Sequence, residues 1–145
     1  MANNYHKIKK FKIKNKELNL DGINLTNDFR IGKLNILNNE NIPIEKIFIS
    51  NNLLDSINEL PNGLIELNCS SNKIVEINNL PNTLKILYCN KNKILELEYL
   101  PESLEYLDCS NNKLSNIDNL PSSIKHLICS HNNIININNL LINLI

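Results

Sequence analysis

The sequence holds no Trp, one Met, three Phe and three Gly among its 145 residues. So few glycines exclude glycine-rich phosphate loops and a collagen-like repeat. No P-loop, nucleophile elbow or dinucleotide fingerprint is present either. Long apolar stretches are missing: runs such as Leu140-Leu141-Ile142 fall far short of the roughly 20 residues that a membrane-spanning helix needs. The start, MANNYHKIKKFKIKNK, lacks an apolar core of signal-peptide length. These absences predict a cytoplasmic protein with no membrane span. Acidic side chains are missing from the first 16 positions, where six lysines (Lys7, Lys9, Lys10, Lys12, Lys14 and Lys16) give +6. The remaining nine basic and fifteen acidic residues give −6, for a net charge of zero. Binding of nucleic acid by the body of the protein is therefore disfavoured.

What is abundant is Asn, with 31 copies, followed by Ile, Leu and Lys. Codons for Asn, Ile and Lys are AT-rich, so the bias reports the genome as well as the fold. Apolar residues make up 42% of the chain, which is enough to build one buried core at this length.

A repeat of 20 residues organises that composition. The copies read LPNGLIELNCSSNKIVEINN from Leu60, LPNTLKILYCNKNKILELEY from Leu80, LPESLEYLDCSNNKLSNIDN from Leu100 and LPSSIKHLICSHNNIININN from Leu120. A fifth, IEKIFISNNLLDSINE from Ile44, lacks the Leu-Pro start, and a sixth begins at Leu140. Alternation such as Leu67 and Cys69 against Asn68 and Ser70 has the period of a short strand. Apolar residues then recur at Ile74, Ile77 and Leu80, as on an irregular or 3₁₀ return path. Pro61, Pro81, Pro101 and Pro121 stop a helix from continuing. One such unit cannot bury its apolar face alone, so the copies must stack into a parallel sheet. The core rows expected are Leu64/Leu84/Leu104/Ile124, Leu67/Leu87/Leu107/Leu127 and Ile49/Cys69/Cys89/Cys109/Cys129. Asn52, Asn72, Asn92, Asn112 and Asn132 form a ladder whose amides are expected to satisfy backbone groups at the turn.

The pattern L-x-x-L-x-L/C-x-x-N-x-L over residues 40–145 resembles the leucine-rich-repeat family. The Leu-Pro-x-Ser-Leu-x-x-Leu form is similar to the 20-residue class of bacterial effectors, and the Asn/Ile/Lys bias is similar to repeats of giant DNA viruses of amoebae and of some amoebae. The resemblance implies a mostly β, α/β-class solenoid, a right-handed superhelix with short concave parallel strands and irregular or 3₁₀ convex segments. It also implies protein binding by the concave sheet, in a host cytosol if the chain is an effector or viral. Two departures are visible: Cys stands where Val or Leu is usual, and the second Leu-Pro of many bacterial repeats is missing.

The ends depart from the repeat. Residues 1–39 read as degenerate repeats or an N-terminal cap, with strand-like spacing at Ile8, Phe11 and Ile13 and again at Ile31, Leu34 and Ile36. The interleaved lysines suit a charged edge strand, which discourages edge pairing; a basic arm for nucleic acid or an acidic membrane surface is the alternative. The tail LLINLI can seal the core or pair with a second copy, so self-association through the ends stands as an alternative function.

Chemistry finds little support. Cysteines 20 residues apart lack the close pairs of a zinc site, and a cytoplasmic setting disfavours disulfides. His126, Cys129 and His131 do not converge, because alternation sends Cys129 inward and His126 outward. No catalytic residue, metal site or cofactor is expected. The outward positions vary from copy to copy instead. They read Phe48, Asn68, Tyr88, Asp108, Ile128 in one column, Lys46, Glu66, Ile86, Tyr106, His126 in the next, and Glu45, Ile65, Lys85, Glu105, Lys125 in a third. Aromatics beside aliphatics and a few charges are the usual make-up of a protein-binding hot spot. Phe48, Tyr88, Tyr106, Asp108, His126 and Ile128 are the candidate partner-binding residues.

Overall fold

A computed structural model describes residues 13–27, 43–57 and 59–135. Among these residues, six three-residue strands run in chain order through one parallel sheet: β1 (Glu17–Asn19), β2 (Lys46–Phe48), β3 (Glu66–Asn68), β4 (Ile86–Tyr88), β5 (Tyr106–Asp108) and β6 (His126–Ile128). No described residue is helical. The molecule is a mostly β solenoid, as the repeat requires. Strands pair in register with the 20-residue period, Leu67 opposite Leu87 and Leu87 opposite Leu107.

Each turn of the solenoid has the same construction. The proline opens a tight turn, in which the amide of the leucine three residues on donates to the proline carbonyl, as from Leu84 to Pro81 at 3.0 Å and from Leu104 to Pro101 at 3.0 Å. Proline suits that place because its fixed φ is compatible with the turn and its missing N–H is not required there. The strand follows. Its central residue is buried while its neighbours face outward, the two-residue alternation of a half-buried strand. After the strand the chain reverses through a left-handed residue that recurs with the period: Asn51, Ser71, Lys91, Asn111 and His131, all with φ between 53° and 56°. The return limb then pairs with its neighbour, Lys93 N donating to Ile74 O at 2.8 Å and Lys113 N to Ile94 O at 2.9 Å.

The core lies between strand and return limb. Leu64, Leu84, Leu104, Leu67, Leu87, Leu107, Cys69, Cys89 and Cys109 are all fully buried, as are Ile74, Ile94 and Leu114 from the return side. Leu127 and Cys129 of the last described turn are only partly buried. Burying one such side chain stabilises by about 1.5–3 kcal/mol, and these rows are the main favourable contribution to the stack.

The asparagine ladder closes the polar account at the turn. Asn92 Nδ2 donates to the carbonyls of Cys69, Cys89 and Asn90 at 3.0–3.3 Å, while its Oδ1 accepts from Ile74 N at 3.0 Å. Asn52, Asn72, Asn112 and Asn132 repeat this arrangement. Each amide thus ties its own turn to the preceding one. A second ladder was not read from the sequence: Thr83, Ser103 and Ser123 donate their hydroxyls to the carbonyls of Leu64, Leu84 and Leu104 at 2.7–2.8 Å. Gly63 occupies the matching place in the earlier copy.

The N-terminal side holds a further turn. Asn15 and Lys16, both left-handed, form a tight reversal in which Glu17 N donates to Lys14 O at 2.9 Å, and β1 then pairs with β2. Leu18, Leu20 and Leu25 are buried in the places that Ile47, Ile49 and Leu54 hold in the next turn. Ile13 packs against the core from the edge. Lys7 to Lys12, Ile8, Phe11, the Ile31–Leu34–Ile36 spacing, the expected division at residues 39 and 40, and the LLINLI tail lie outside the described residues.

Candidate functional site

The sheet's solvent face is built from the residues that flank each buried central leucine. Its third column pairs charges between turns, with Lys16 and Glu45 at 2.5 Å, Lys125 and Glu105 at 2.6 Å, and Lys85 and Glu105 at 3.5 Å. In the adjacent column Lys46 meets Glu66 at 2.8 Å. The hydrogen bond that Lys46 donates to Glu66, together with the charge of Glu66, raises the Lys46 pKa, and the hydrogen bond and charge of Lys125 lower that of Glu105. These charges satisfy one another across the copies, so this border of the face presents little net charge.

The centre of the face is aromatic. Tyr106 on β5 sits diagonally across from Tyr88 on β4, with ring centroids 5.1 Å apart and planes tilted by 47°. Such a diagonal is reached because long aromatic side chains span the step that shorter ones do not. Directly opposite Tyr106 in register, His126 on β6 places its ring 6.1 Å away at 40°. Ile86 stands beside Tyr106 on the other flank. Partial burial raises the Tyr106 pKa, with smaller contributions from Tyr88 and Asp108, so the phenol remains a neutral hydrogen-bond donor.

The candidate residues divide into two groups. Tyr88, Tyr106, Asp108, His126 and Ile128 come together on β4, β5 and β6, with Asp108 in register between Tyr88 and Ile128. Ile128 is 42% exposed. One oxygen of Asp108 is already engaged, accepting from Ser110 N at 3.0 Å and Ser110 Oγ at 2.7 Å; Asn68 holds Ser70 in the same way. Phe48 lies apart on β2, separated from Tyr88 by β3, where Asn68 occupies its column.

The cysteines face the other way. Cys69, Cys89 and Cys109 are buried free thiols, and desolvation pushes Cys69 and Cys109 up to about 12 and Cys89 well up as well. A thiol so raised is protonated at neutral pH and is a poor nucleophile. Cys69 Sγ donates to Tyr88 O at 3.4 Å. His131 stands in the left-handed turn and His126 in the aromatic row, so the His126, Cys129, His131 segment is split among surface, core and turn.

One surface feature escaped the sequence reading. On the return limb Val75, Leu95 and Tyr99 are exposed and line an open groove with Glu76, Asn78, Glu96 and Glu98. The signal was present: Val75 and Leu95 are apolar where the flanking copies carry Asp55 and Ser115.

No family model matches the chain, and no curated protein matches it. Among solved structures it is similar to YopM from Yersinia enterocolitica WA-314, with 37% identity and a TM-score of 0.59 over 61% of this chain and 20% of that one. It is also similar to a Shigella effector LRR domain, with 32% identity and a TM-score of 0.67 over 81% of this chain and 50% of that one. The chain therefore spans half or less of the length of these structures.

Proposed function

We propose, from the premise that the chain is a leucine-rich-repeat protein resembling bacterial effectors, that it is a non-catalytic module binding another protein through the outer, concave face of its sheet. The observation that carries this reading is the row Tyr88, Tyr106 and His126, stacked across three strands with Ile86 and Ile128 beside it. Clustered aromatics on a rigid sheet lose little side-chain freedom on binding and contribute large contact areas, which is how a few residues dominate an interface. Asp108 and the tyrosine hydroxyls supply directional hydrogen bonds at its centre. Ion pairs along the border keep the charged side chains ordered without leaving a strong field of one sign. The proposed setting is the cytosol, or a host cytosol given the likeness to an effector domain. Among the described residues no helix is long and apolar enough to cross a membrane.

The test is affinity capture with the full chain, comparing wild type with the Tyr88→Ala, Tyr106→Ala double variant and identifying bound proteins by mass spectrometry. The proposal expects a partner held by wild type and lost by the variant at unchanged thermal stability. A partner held equally by both proteins would move the binding site off this face. Concentration-dependent oligomers without a captured protein would favour assembly through the ends instead. A steep salt dependence for RNA or DNA, lost on deleting residues 1–16, would favour the basic arm.

A further inference from the structure

The return limb carries a second apolar surface, across the core from the sheet. Val75 and Leu95 stack in one column on successive turns, at 42% and 50% exposure, and Tyr99 stands beside them at 70%. Between these side chains lies an open groove of about 430 Å³, within the usual size range of ligand pockets. Its acidic lining residues are Glu76, Glu96 and Glu98, and no basic residue lines it. Among the described residues none of these three carboxylates makes an ion pair or a hydrogen bond, unlike the charges of the sheet face. Isolated apolar surface residues are ordinary; three together, rimmed by three unpaired charges of one sign, are not.

We infer that this groove docks a cationic amphipathic peptide segment of a partner protein, one with arginine beside a large apolar side chain. Charge complementarity selects the cation, and the column of Val75 and Leu95 selects the apolar neighbour. Arginine is favoured over lysine for two reasons. Its planar guanidinium can donate two hydrogen bonds to one carboxylate, and it can lie on the open face of Tyr99. Segments rich in acids, or basic segments without apolar residues, lack one half of the match. The groove is independent of the aromatic row on the sheet, so the two surfaces can hold different partners or two parts of one partner.

The test uses the full chain and a fluorescently labelled peptide in which arginine alternates with leucine, followed by fluorescence anisotropy at near-physiological salt. Glu76→Gln, Glu96→Gln, Glu98→Gln combined is expected to weaken binding about tenfold, as loss of several exposed charge contacts would. Leu95→Ser with Tyr99→Ala is expected to weaken it at least as far, and replacing arginine by lysine in the peptide to weaken it several-fold. All five side chains are exposed, so the variants are expected to retain the wild-type circular dichroism and melting temperature. Tyr88→Ala with Tyr106→Ala is expected to bind the peptide normally, which separates this site from the sheet face. Equal binding of an arginine–serine peptide would overturn the proposal, since it would show charge attraction alone. So would tight binding that survives both groove variants, or no binding by wild type. If sedimentation shows wild type alone to be oligomeric and the groove variants to be monomeric, a second copy is the occupant and the proposed separate partner is wrong.

Discussion

Asn92 and its counterparts each share two amide N–H groups among three carbonyls and accept one further hydrogen bond, bridging two turns of backbone. No other side chain of that size offers two donors and an acceptor in this geometry. Replacing Asn112, which is buried, by Ala would leave the amide of Ile94 without its acceptor and take one of two side-chain donors from each of the carbonyls of Cys89 and Cys109, which keep Asn92 and Asn132. The expected cost is about 1–3 kcal/mol, from the one unsatisfied buried amide and the lost carbonyl contacts, and urea denaturation measures it. The cysteines make the opposite demand, since their sites reward small apolar volume and no charge. Cys89→Val is expected to change stability by less than about 1.5 kcal/mol. The thiols also set an alkaline limit. Cys69 and Cys109 ordinarily titrate near 9.0 but are pushed up to about 12 in the fold. Between those pH values the unfolded chain gains thiolate charge that the folded chain resists, so stability is full below pH 9 and declines as pH rises toward 12. Denaturation midpoints measured from pH 7 to 11 should show that decline, and it should shrink in Cys69→Val with Cys109→Val. In the native protein at pH 8, a thiol reagent should modify Cys129 first, because it alone among the four is only partly buried.

The element that repeats is a proline turn, a three-residue strand, a left-handed reversal and a paired return limb. Much of it was legible. The two-residue alternation placed Leu67 and Cys69 inward, and the recurring Ile74, Ile77 and Leu80 gave the return limb its inner face; all five are buried. The asparagine ladder was also readable, because an invariant polar residue amid core rows needs backbone partners. Other features gave no such signal. The hydroxyl ladder of Thr83, Ser103 and Ser123 stands in a stretch of turn residues, where hydroxyls are common for many reasons. Strand β1 was hidden because Leu18 is 29 residues from its register partner Ile47, and because Ile23 stands where the ladder asparagine would be. The left-handed reversal was invisible too, since Asn, Ser, Lys and His all occupy it. That reversal is a site for stabilisation. At Lys91, with φ of 55°, Gly would remove the Cβ crowding, and Lys91→Gly is expected to stabilise by about 0.5–1 kcal/mol after the greater freedom of the unfolded glycine is deducted. A rise in the midpoint of thermal unfolding checks this.

At the scale of the molecule, each turn touches only its neighbours, so stability is a sum over stacked interfaces. A cavity in the middle of the stack weakens two interfaces at once. Leu87→Ala is therefore expected to cost about 2–5 kcal/mol and to loosen both sides of the array, visible as faster amide exchange in β3 and β5. Nothing comparable should follow from changes on the solvent face. This separation of core from surface is what permits the rows facing outward to vary, and it underlies the assignment of binding to them. The candidate binding face was legible only in part for the same reason. Column positions identified Tyr88, Tyr106 and His126 as outward, but the diagonal contact at 5.1 Å depends on side-chain reach, and the isolation of Phe48 depends on Asn68 standing between.

Central to this account is that the aromatic row on β4 to β6 touches a protein partner. The most direct measurement places a photo-crosslinking residue singly at positions 88, 106 and 113, irradiates each full chain with its captured partner, and reads the crosslinked product by mass spectrometry. Lys113 lies on the return limb, where its amide pairs with the carbonyl of Ile94. Crosslinks from positions 88 and 106 with none from 113 are the result the account predicts. A crosslink from 113 with none from 88 or 106 would contradict it.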